Sequence, residues 1–475
     1  IDRFTLNLDA NETEEQRFLL GNIPVNSQWN YTTGISYKRY AENGFWTFVL
    51  SRNMLNNEAE KFENNDESQA LILDYKSQET ENKLRIENTT RKGNYKFNFG
   101  VAYEFVQYNS NTFNLLAVPG GQQEINFFSE IDFHKYAAFA QVSRDWLQER
   151  LVTSVGLRLD GASYSSEMSN PLEQFSPRVS VAYNLSQKWI VNANAGLYYQ
   201  LPPFTVMGYE EDGVLVNKLN GVDYIQNYQL VAGLEYNSGS NSKITLEGYY
   251  KRYNNYPFTV RDSIALANLG GDFGVLGNEP VVSTARGRTY GIELLLQQRL
   301  YKGFYGLVSY TLGWSEFEDK NGEFVPSSWD SRHIVNMTAG KRFPKNWELG
   351  VNFRVQSALP FTPFDEERSA VIQNWDITNE GLRDFNQLNQ GRFQPNHTLD
   401  IRIDKKWFYD KWSFQLYLDI ENIYGNTVND PQLVLDLDEE GNRQIDPNQL
   451  DSYLLKTLEV TQGTVLPSIG VVIIY

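Results

Sequence analysis

The sequence predicts an all-β protein, a transmembrane antiparallel β-barrel that uses residues 1–475 as one unit, and three observations lead there. Eight short turns alternate with nine longer connections along the chain. The segments between them switch between apolar and polar side chains at each step, the period of a strand that sends successive residues to opposite faces. No run of 18 or more apolar residues occurs, so a helical membrane span is absent. Short turns on one rim and long loops on the other are the arrangement of an outer-membrane barrel.

Composition narrows the function classes. A chain of 475 residues would ordinarily divide into several soluble domains, but a barrel takes the whole length as one sheet. Lys+Arg 42 against Asp+Glu 59 leaves a net charge of −17, which excludes the cation excess that a phosphate backbone demands and so argues against nucleic acid. With Cys 0 there are neither disulfides nor thiolate metal sites. Tyr 29, Phe 28 and Trp 10 suit the aromatic girdles of a membrane interface. Mean hydropathy of −0.49 would suggest a soluble chain, but only alternate residues of a barrel strand face lipid. Ile1 opens without a charged or apolar leader, so an export signal is expected to lie outside this sequence.

The elements follow in order. The short joins are AENG (Ala41 to Gly44), KGN (Lys92 to Asn94), LQER (Leu147 to Arg150), LSQK (Leu185 to Lys188), SGSNS (Ser238 to Ser242), YKG (Tyr301 to Gly303), PKN (Pro344 to Asn346) and YDK (Tyr409 to Lys411). After the second, Tyr95, Phe97, Phe99, Val101 and Tyr103 form an apolar row against Lys96, Asn98 and Glu104. Further on, Leu349, Val351, Phe353 and Val355 oppose Asn352, Arg354 and Gln356, and Leu399, Ile401 and Ile403 oppose Asp400, Arg402 and Asp404. The clearest row is Trp412, Phe414, Leu416, Leu418 and Ile420 against Ser413, Gln415, Tyr417, Asp419 and Glu421. Burying Asp419 and Glu421 in a dry sandwich core would cost several kcal/mol unless they were paired. A barrel places them on its wet inside and gives the apolar row to lipid. About 18 such strands run from Phe4 to Tyr475, an even number that returns both ends to the short-turn rim. No helix longer than two turns is predicted.

The longer connections carry the charge. Residues 53–80 hold seven acids and two bases, 200–224 four and one, 358–394 six and three, and 425–463 eight and two, which together account for the entire −17. An acidic mouth concentrates cations over a Debye length of about 8–10 Å. Solvated loops that resist self-association explain the same excess. Aromatics lie in these connections among Gly, Pro and Asn: Phe204, Tyr209 and Tyr224 in one, Phe361, Phe364, Trp375, Phe385 and Phe393 in another. They are candidate contacts for a small amphipathic ligand or a sugar, or else they pack the loops upon one another. Glu104, Arg158, Glu247, Arg354, Arg402, Asp419 and Glu421 are expected to line the lumen, either along a conduction path or in mutual pairs.

Little points to catalysis. His134, His333 and His397 lie far apart with no metal-ligand spacing, and no nucleophile elbow, P-loop or dinucleotide fingerprint occurs in context, so no enzyme activity and no cofactor are expected. Asp436, Asp438 and Glu440 begin like a calcium loop, but Pro447 stands where a bidentate Glu is required, and the segment reads as a hairpin tip.

Four stretches resemble the barrel of TonB-dependent outer-membrane receptors: the SPR strand leading to YxxPxF at Phe175 to Phe204, Thr289 to Phe317, Trp-Asp-x-Arg-His with a downstream PFTP at Trp329 to Pro363, and His-x-Leu-Asp leading to Asn-Ile-Tyr at His397 to Asn426. The likeness covers most of the chain from about residue 90 onward. It implies a 22-stranded barrel occluded by an N-terminal plug, the strand number of plugged transporters. On that reading the plug, about four strands and the segment contacting the TonB complex lie outside this sequence. It also implies that Tyr475 is the aromatic C-terminus recognised during membrane insertion. Its partners would be outer-membrane lipid and a siderophore, cobalamin, glycan or peptide, with a surface lipoprotein left open. The resemblance implies an active-uptake receptor; a passive porin-type channel and a surface barrel that scaffolds a protein complex are the alternatives.

Overall fold

The computed structural model describes all residues except 1, 5, 6, 119, 120, 240 and 271–277. Eighteen wall strands follow one another as antiparallel neighbours: β1 (Asp2–Phe4), β2 (Val25–Ala41), β3 (Gly44–Phe62), β4 (Leu71–Lys92), β5 (Tyr95–Val118), β6 (Gly121–Trp146), β7 (Leu151–Ala162), β8 (Ser176–Asn184), β9 (Trp189–Gln200), β10 (Ile225–Asn237), β11 (Ser242–Thr259), β12 (Val281–Tyr301), β13 (Phe304–Glu318), β14 (His333–Phe343), β15 (Trp347–Gln356), β16 (Asn396–Phe408), β17 (Ser413–Glu421) and β18 (Leu466–Ile474). A three-residue strand, Phe324–Pro326, joins the top of β13 as the nineteenth member of the sheet.

All eight predicted short joins connect consecutive strands, although residue 240 of the SGSNS join lies outside the described residues. They are tight because their residues accept left-handed backbone: Lys302 and Gly303 have φ of 49° and 80°, as a two-residue hairpin with both central residues at positive φ demands.

The opposite rim differs from expectation in two places. Residues 53–62 and 71–80, predicted as a connection, are strand, and β5 and β6 continue until only residues 119 and 120 separate them. At 24 and 26 residues these two strands far exceed the 9–11 needed to cross a bilayer, so their outer halves rise beyond it, where β4 stays paired with β5 as far as Asn114. Alternating polarity marks a strand without marking where the membrane ends. The second difference is α1 (Glu14–Asn22), longer than two turns and closed by a capping box in which Thr13 and Gln16 satisfy each other's backbone N–H.

The two faces separate as the period-two rows require. Leu230, Leu246, Ile292, Leu416 and Leu418 are exposed on the outer face. At the short-turn rim that face turns aromatic, with Trp189 against Tyr236 at 4.7 Å and Lys405 reaching over Trp347 and Trp407 at 5.4 Å each. An amphipathic lysine snorkelling among aromatics belongs at a membrane interface. On the inner face Arg402 bonds Asp404 at 3.1 Å and Asp419 at 3.5 Å and lies 3.8 Å over Tyr417. Two inner tyrosines lie flat over glycines of the next strand, Tyr305 over Gly340 and Tyr417 over Gly470, where any Cβ would collide with the ring.

The hydrophobic core sits at the mouth, not within the wall. Val106, Tyr108, Ile131 and Phe133 from the tops of β5 and β6 pack with Met168, Met207, Tyr224 and Leu266 from three connections. Among the described residues the wall is open between β1 and β18, and β2 is paired on its outer edge only through Asp2–Phe4. The two ends meet outside the wall, where Glu14 of α1 pairs with Lys456 at 3.1 Å in the connection before β18.

Candidate functional site at the mouth

Three buried polar side chains fix the mouth. Asn217 donates Nδ2 to the carbonyls of Val206 and Glu279 at 2.8 and 2.9 Å and accepts Val281 N–H at 2.7 Å, fastening connection 201–224 to connection 260–280. Asn389 donates to the carbonyls of Asn268 and Pro326, both at 2.9 Å, and so binds three connections at once. Asp330 accepts Arg332 at 2.9 Å, Arg392 at 2.5 Å and the backbone N–H of Ser315 at 2.8 Å. Loop backbone packed away from water has no ladder to pair with, and each of these side chains supplies partners that local sequence cannot.

Beneath this clasp lie two cavities on the inner face. One, of about 710 Å³, is lined by Phe204, Tyr224, Tyr253, Tyr256, Phe317 and Trp329 and by the charges Glu79, Glu104, Lys135, Arg158 and Asp160. Its cations are already engaged: Lys135 with Glu104 and Arg158 with Asp160, both at 2.6 Å. The other, of about 920 Å³, lies against β14–β17 and is lined by Arg354, Arg402, Asp419, Glu421 and Phe393. Six of the seven residues predicted to line the lumen therefore converge on two cavities. Glu247 reaches neither and stands in register with Gly233 and Glu293.

The loop aromatics divide by environment. Phe204 and Tyr224 line the smaller cavity, and Phe204 packs edge-on against Phe133 at 5.9 Å. Phe393 lines the larger one and meets Phe361 at 4.6 Å. Phe364 lies 3.7 Å under the Arg383 guanidinium, Tyr209 stacks on Phe127 at 5.7 Å, and Phe385 is exposed. Trp375 is 3% exposed, with its ring given over to loop packing. Burial and the carboxylate of Glu211 push the Tyr209 hydroxyl up to about 12. Burial likewise raises Asp223 above the usual carboxylate range, with Glu173 and Glu167 adding to the shift.

Tyr253, Tyr256, Phe317 and Trp329 were not among the predicted contacts. The first three fall within strands, where period-two reading assigns them to a face without revealing that a loop closes over them. Trp329 belongs to the Trp-Asp-x-Arg-His motif, and the structure divides that motif's labour: Trp329 faces the cavity, Asp330 holds Arg392 and Arg332, and His333 bonds Tyr310 at 2.9 Å. Asp436 pairs with Lys456 at 3.2 Å, and Asp438 accepts the backbone N–H groups of Glu440 and Asn442 at a hairpin tip. Among the described residues no group of three or more His, Cys, Asp or Glu is arranged to hold a metal ion.

A polar, charged inner face, a lipid-facing outer face and a mouth clasped by long connections define an outer-membrane receptor barrel. The chain belongs to the TonB-dependent receptor-like β-barrel family, whose model matches residues 2–423. Members of that family are receptors of the bacterial outer membrane and not enzymes. No curated protein matches the chain. Solved structures share the fold: the pyoverdine receptor FpvA from Pseudomonas aeruginosa PAO1 bound to pyoverdine, with 12% identity over 86% of this chain and 58% of that one and a TM-score of 0.62; the ferric yersiniabactin uptake receptor FyuA from Yersinia pestis, with 12% over 95% and 62% and a TM-score of 0.62; and the ferric-catecholate import receptor Fiu from K12 E. coli, with 9% over 95% and 65% and a TM-score of 0.59. The chain spans 58–65% of the length of these three receptors.

Proposed function

We propose that this chain forms the barrel wall of a receptor that captures a scarce nutrient at its external mouth and admits it by energised movement of a plug outside this sequence. TonB would supply the pull through a segment that precedes the plug. The observation carrying this reading is the aromatic cavity of about 710 Å³ closed over by connections that buried Asn217, Asn389 and Asp330 hold in place. Such a mouth is built to retain a ligand, whereas a passive pore needs an open path.

The ligand contacts within it are Phe204, Tyr224, Tyr256 and Trp329. Both cations lining the cavity are matched by carboxylates, so stacking and hydrogen bonding rather than anion capture select what enters. That favours a glycan or another neutral amphipathic molecule over a strongly anionic chelate.

The test is uptake and conductance by the full-length receptor. Trp329→Ala and Phe204→Ala are expected to lower uptake of the imported compound up to about tenfold, the loss of about 0.5–1.5 kcal/mol for a removed aromatic contact, with barrel assembly unchanged and planar bilayers nearly silent. A large steady ion current from the full-length protein would show a channel instead.

A further inference from the structure

One charge in the aromatic cavity of about 710 Å³ is left over when the others are paired. Glu104 meets Lys135 and Asp160 meets Arg158, both at 2.6 Å, and Glu81, further along β4, meets Lys83 at 2.5 Å. Glu79 lines the same cavity and is half-buried, and its carboxylate has no hydrogen-bond or ion-pair partner among the described residues.

The sheet explains why. Cross-strand register sets Leu55 on one side of Glu79 and Tyr108 on the other, and neither side chain supplies a counter-charge. Two residues along the same face, Glu81 adds a second carboxylate in place of a cation. Fourteen residues, counted inclusively, run from Glu79 to the short-turn end of β4 at Lys92, more than the 9–11 that cross a bilayer, so this carboxylate stands in the external part of the lumen. Burial, and then the nearby Glu81, raise its carboxyl above the usual range.

The rings around Glu79 are not covered by the protein's own cations. Elsewhere such cover is present, as in Arg383 over Phe364 at 3.7 Å and Arg402 over Tyr417 at 3.8 Å. Near the cavity, Arg332 turns to Trp314 and Lys218 to Tyr164, each at 5.5 Å. Among the described residues no lysine or arginine lies over Phe204, Tyr224, Tyr256 or Trp329, which line the cavity. Tyr108, opposite Glu79, meets Phe204 at 6.1 Å, and this contact carries the aromatic wall from the carboxylate to the loop. On the other side Tyr256 packs against Phe317 at 4.6 Å.

The surrounding field has the same sign. The larger cavity is lined by six carboxylates and three cations, and the long connections carry the chain's entire net charge of −17. An acidic rim draws cations inward and turns anions away.

We propose that the mouth selects an organic cation, an amphipathic molecule whose ammonium group pairs with Glu79 while its frame lies against Phe204, Tyr256 and Trp329. A carboxylate beside open ring faces replaces the water that an ammonium group gives up on entering. A hydrated inorganic cation gains little from those rings, and among the described residues no group of three His, Cys, Asp or Glu is arranged to strip its water. The inference rests on the reading of the mouth as the capture site and narrows it, adding one positive charge to the amphipathic ligand.

The experiment is equilibrium dialysis of the folded full-length receptor against tryptamine and against tryptophol, which share an indole frame and differ in carrying an ammonium or a hydroxyl group. The intact receptor should bind tryptamine about tenfold more tightly. Glu79→Gln should bring tryptamine down to the affinity of tryptophol, and Glu79→Asp should keep part of the preference. Folding of each variant is read from the migration shift between unheated and heated samples. Equal binding of the two probes, or a preference that survives in the folded Glu79→Gln variant, would overturn the assignment, and the mouth reading would still stand if Phe204→Ala weakened both probes. Binding of neither probe would also overturn it, with the mouth then judged separately by uptake through the Trp329→Ala variant.

Discussion

Asp330 and Arg392 meet at 2.5 Å across 62 residues of sequence, and the aspartate side chain is wholly withdrawn from solvent. Because Arg392 also donates to the carbonyl of Ala358 at 3.1 Å, this one contact fixes both ends of the connection between β15 and β16 against the loop that enters β14. Arg392 and Arg332 keep 30% and 37% of their side chains exposed, so losing Asp330 costs less than the ~3–5 kcal/mol of a fully buried pair but still releases both. Asp330→Ala is therefore expected to loosen residues 357–395 without unfolding the wall. Faster amide exchange and new proteolytic cleavage in that connection, with normal heat-modifiable migration, would be the result; an unchanged exchange pattern would refute the clasp.

Asn217→Ala leaves the carbonyls of Val206 and Glu279 and the N–H of Val281 without their partner in a fully buried place. An unmet buried group costs about 1–3 kcal/mol. Connection 201–224 should lose protection and ligand affinity together, measured by hydrogen exchange and by uptake. If uptake falls while exchange stays fixed, Asn217 acts on the ligand directly and the structural account fails.

Neighbouring positions on β11 distinguish the faces. Leu246→Arg introduces a cation into the lipid-facing row, at a cost of about 2–4 kcal/mol near the middle of the bilayer, and should lower the urea midpoint of the reconstituted barrel. Glu247→Gln, on the opposite face, should leave it nearly unchanged. Equal sensitivity of both sites would contradict the assignment of inside and outside.

Asp223 titrates at the mouth with its carboxyl raised by burial and by the nearby Glu173 and Glu167. The folded state then holds the proton more tightly than the unfolded chain does. The contribution to stability is complete below the ordinary carboxylate range near 4 and is lost as pH rises through the elevated folded value. Exchange protection around Val222–Ile225 should accordingly decline with rising pH, and Asp223→Asn should flatten that dependence.

Trp375 and Phe385 belong to the same connection but not to the same environment. Trp375→Ala empties a buried site and should cost about 3–5 kcal/mol of local stability, whereas Phe385→Ala, 40% exposed, should cost little. Loop-selective proteolysis compares the two, and equal susceptibility would show that the helical turn at Ile372–Thr378 does not rest on Trp375.

The sequence alone determined the wall. Alternation along Trp412–Glu421 or Leu399–Asp404 is a local property, repeated every two residues, and the φ-permissive joins such as Lys302–Gly303 are local as well. Strand identity, the rim of short turns and the polarity of each face were consequently legible without coordinates. Even α1 had a readable signal in Thr13 and Gln16, although its few apolar residues hid it. Tertiary structure decided the mouth. Asn389 reaches Asn268 across 121 residues and Asp330 reaches Arg392 across 62, and no short-range pattern encodes which loop a given amide or guanidinium will meet. Whether a loop aromatic becomes a cavity wall, like Phe204, or internal packing, like Trp375, depends on those distant closures. So does the placing of Glu79 between Leu55 and Tyr108, because strand register, and not the spacing within any one strand, sets which side chains stand face to face.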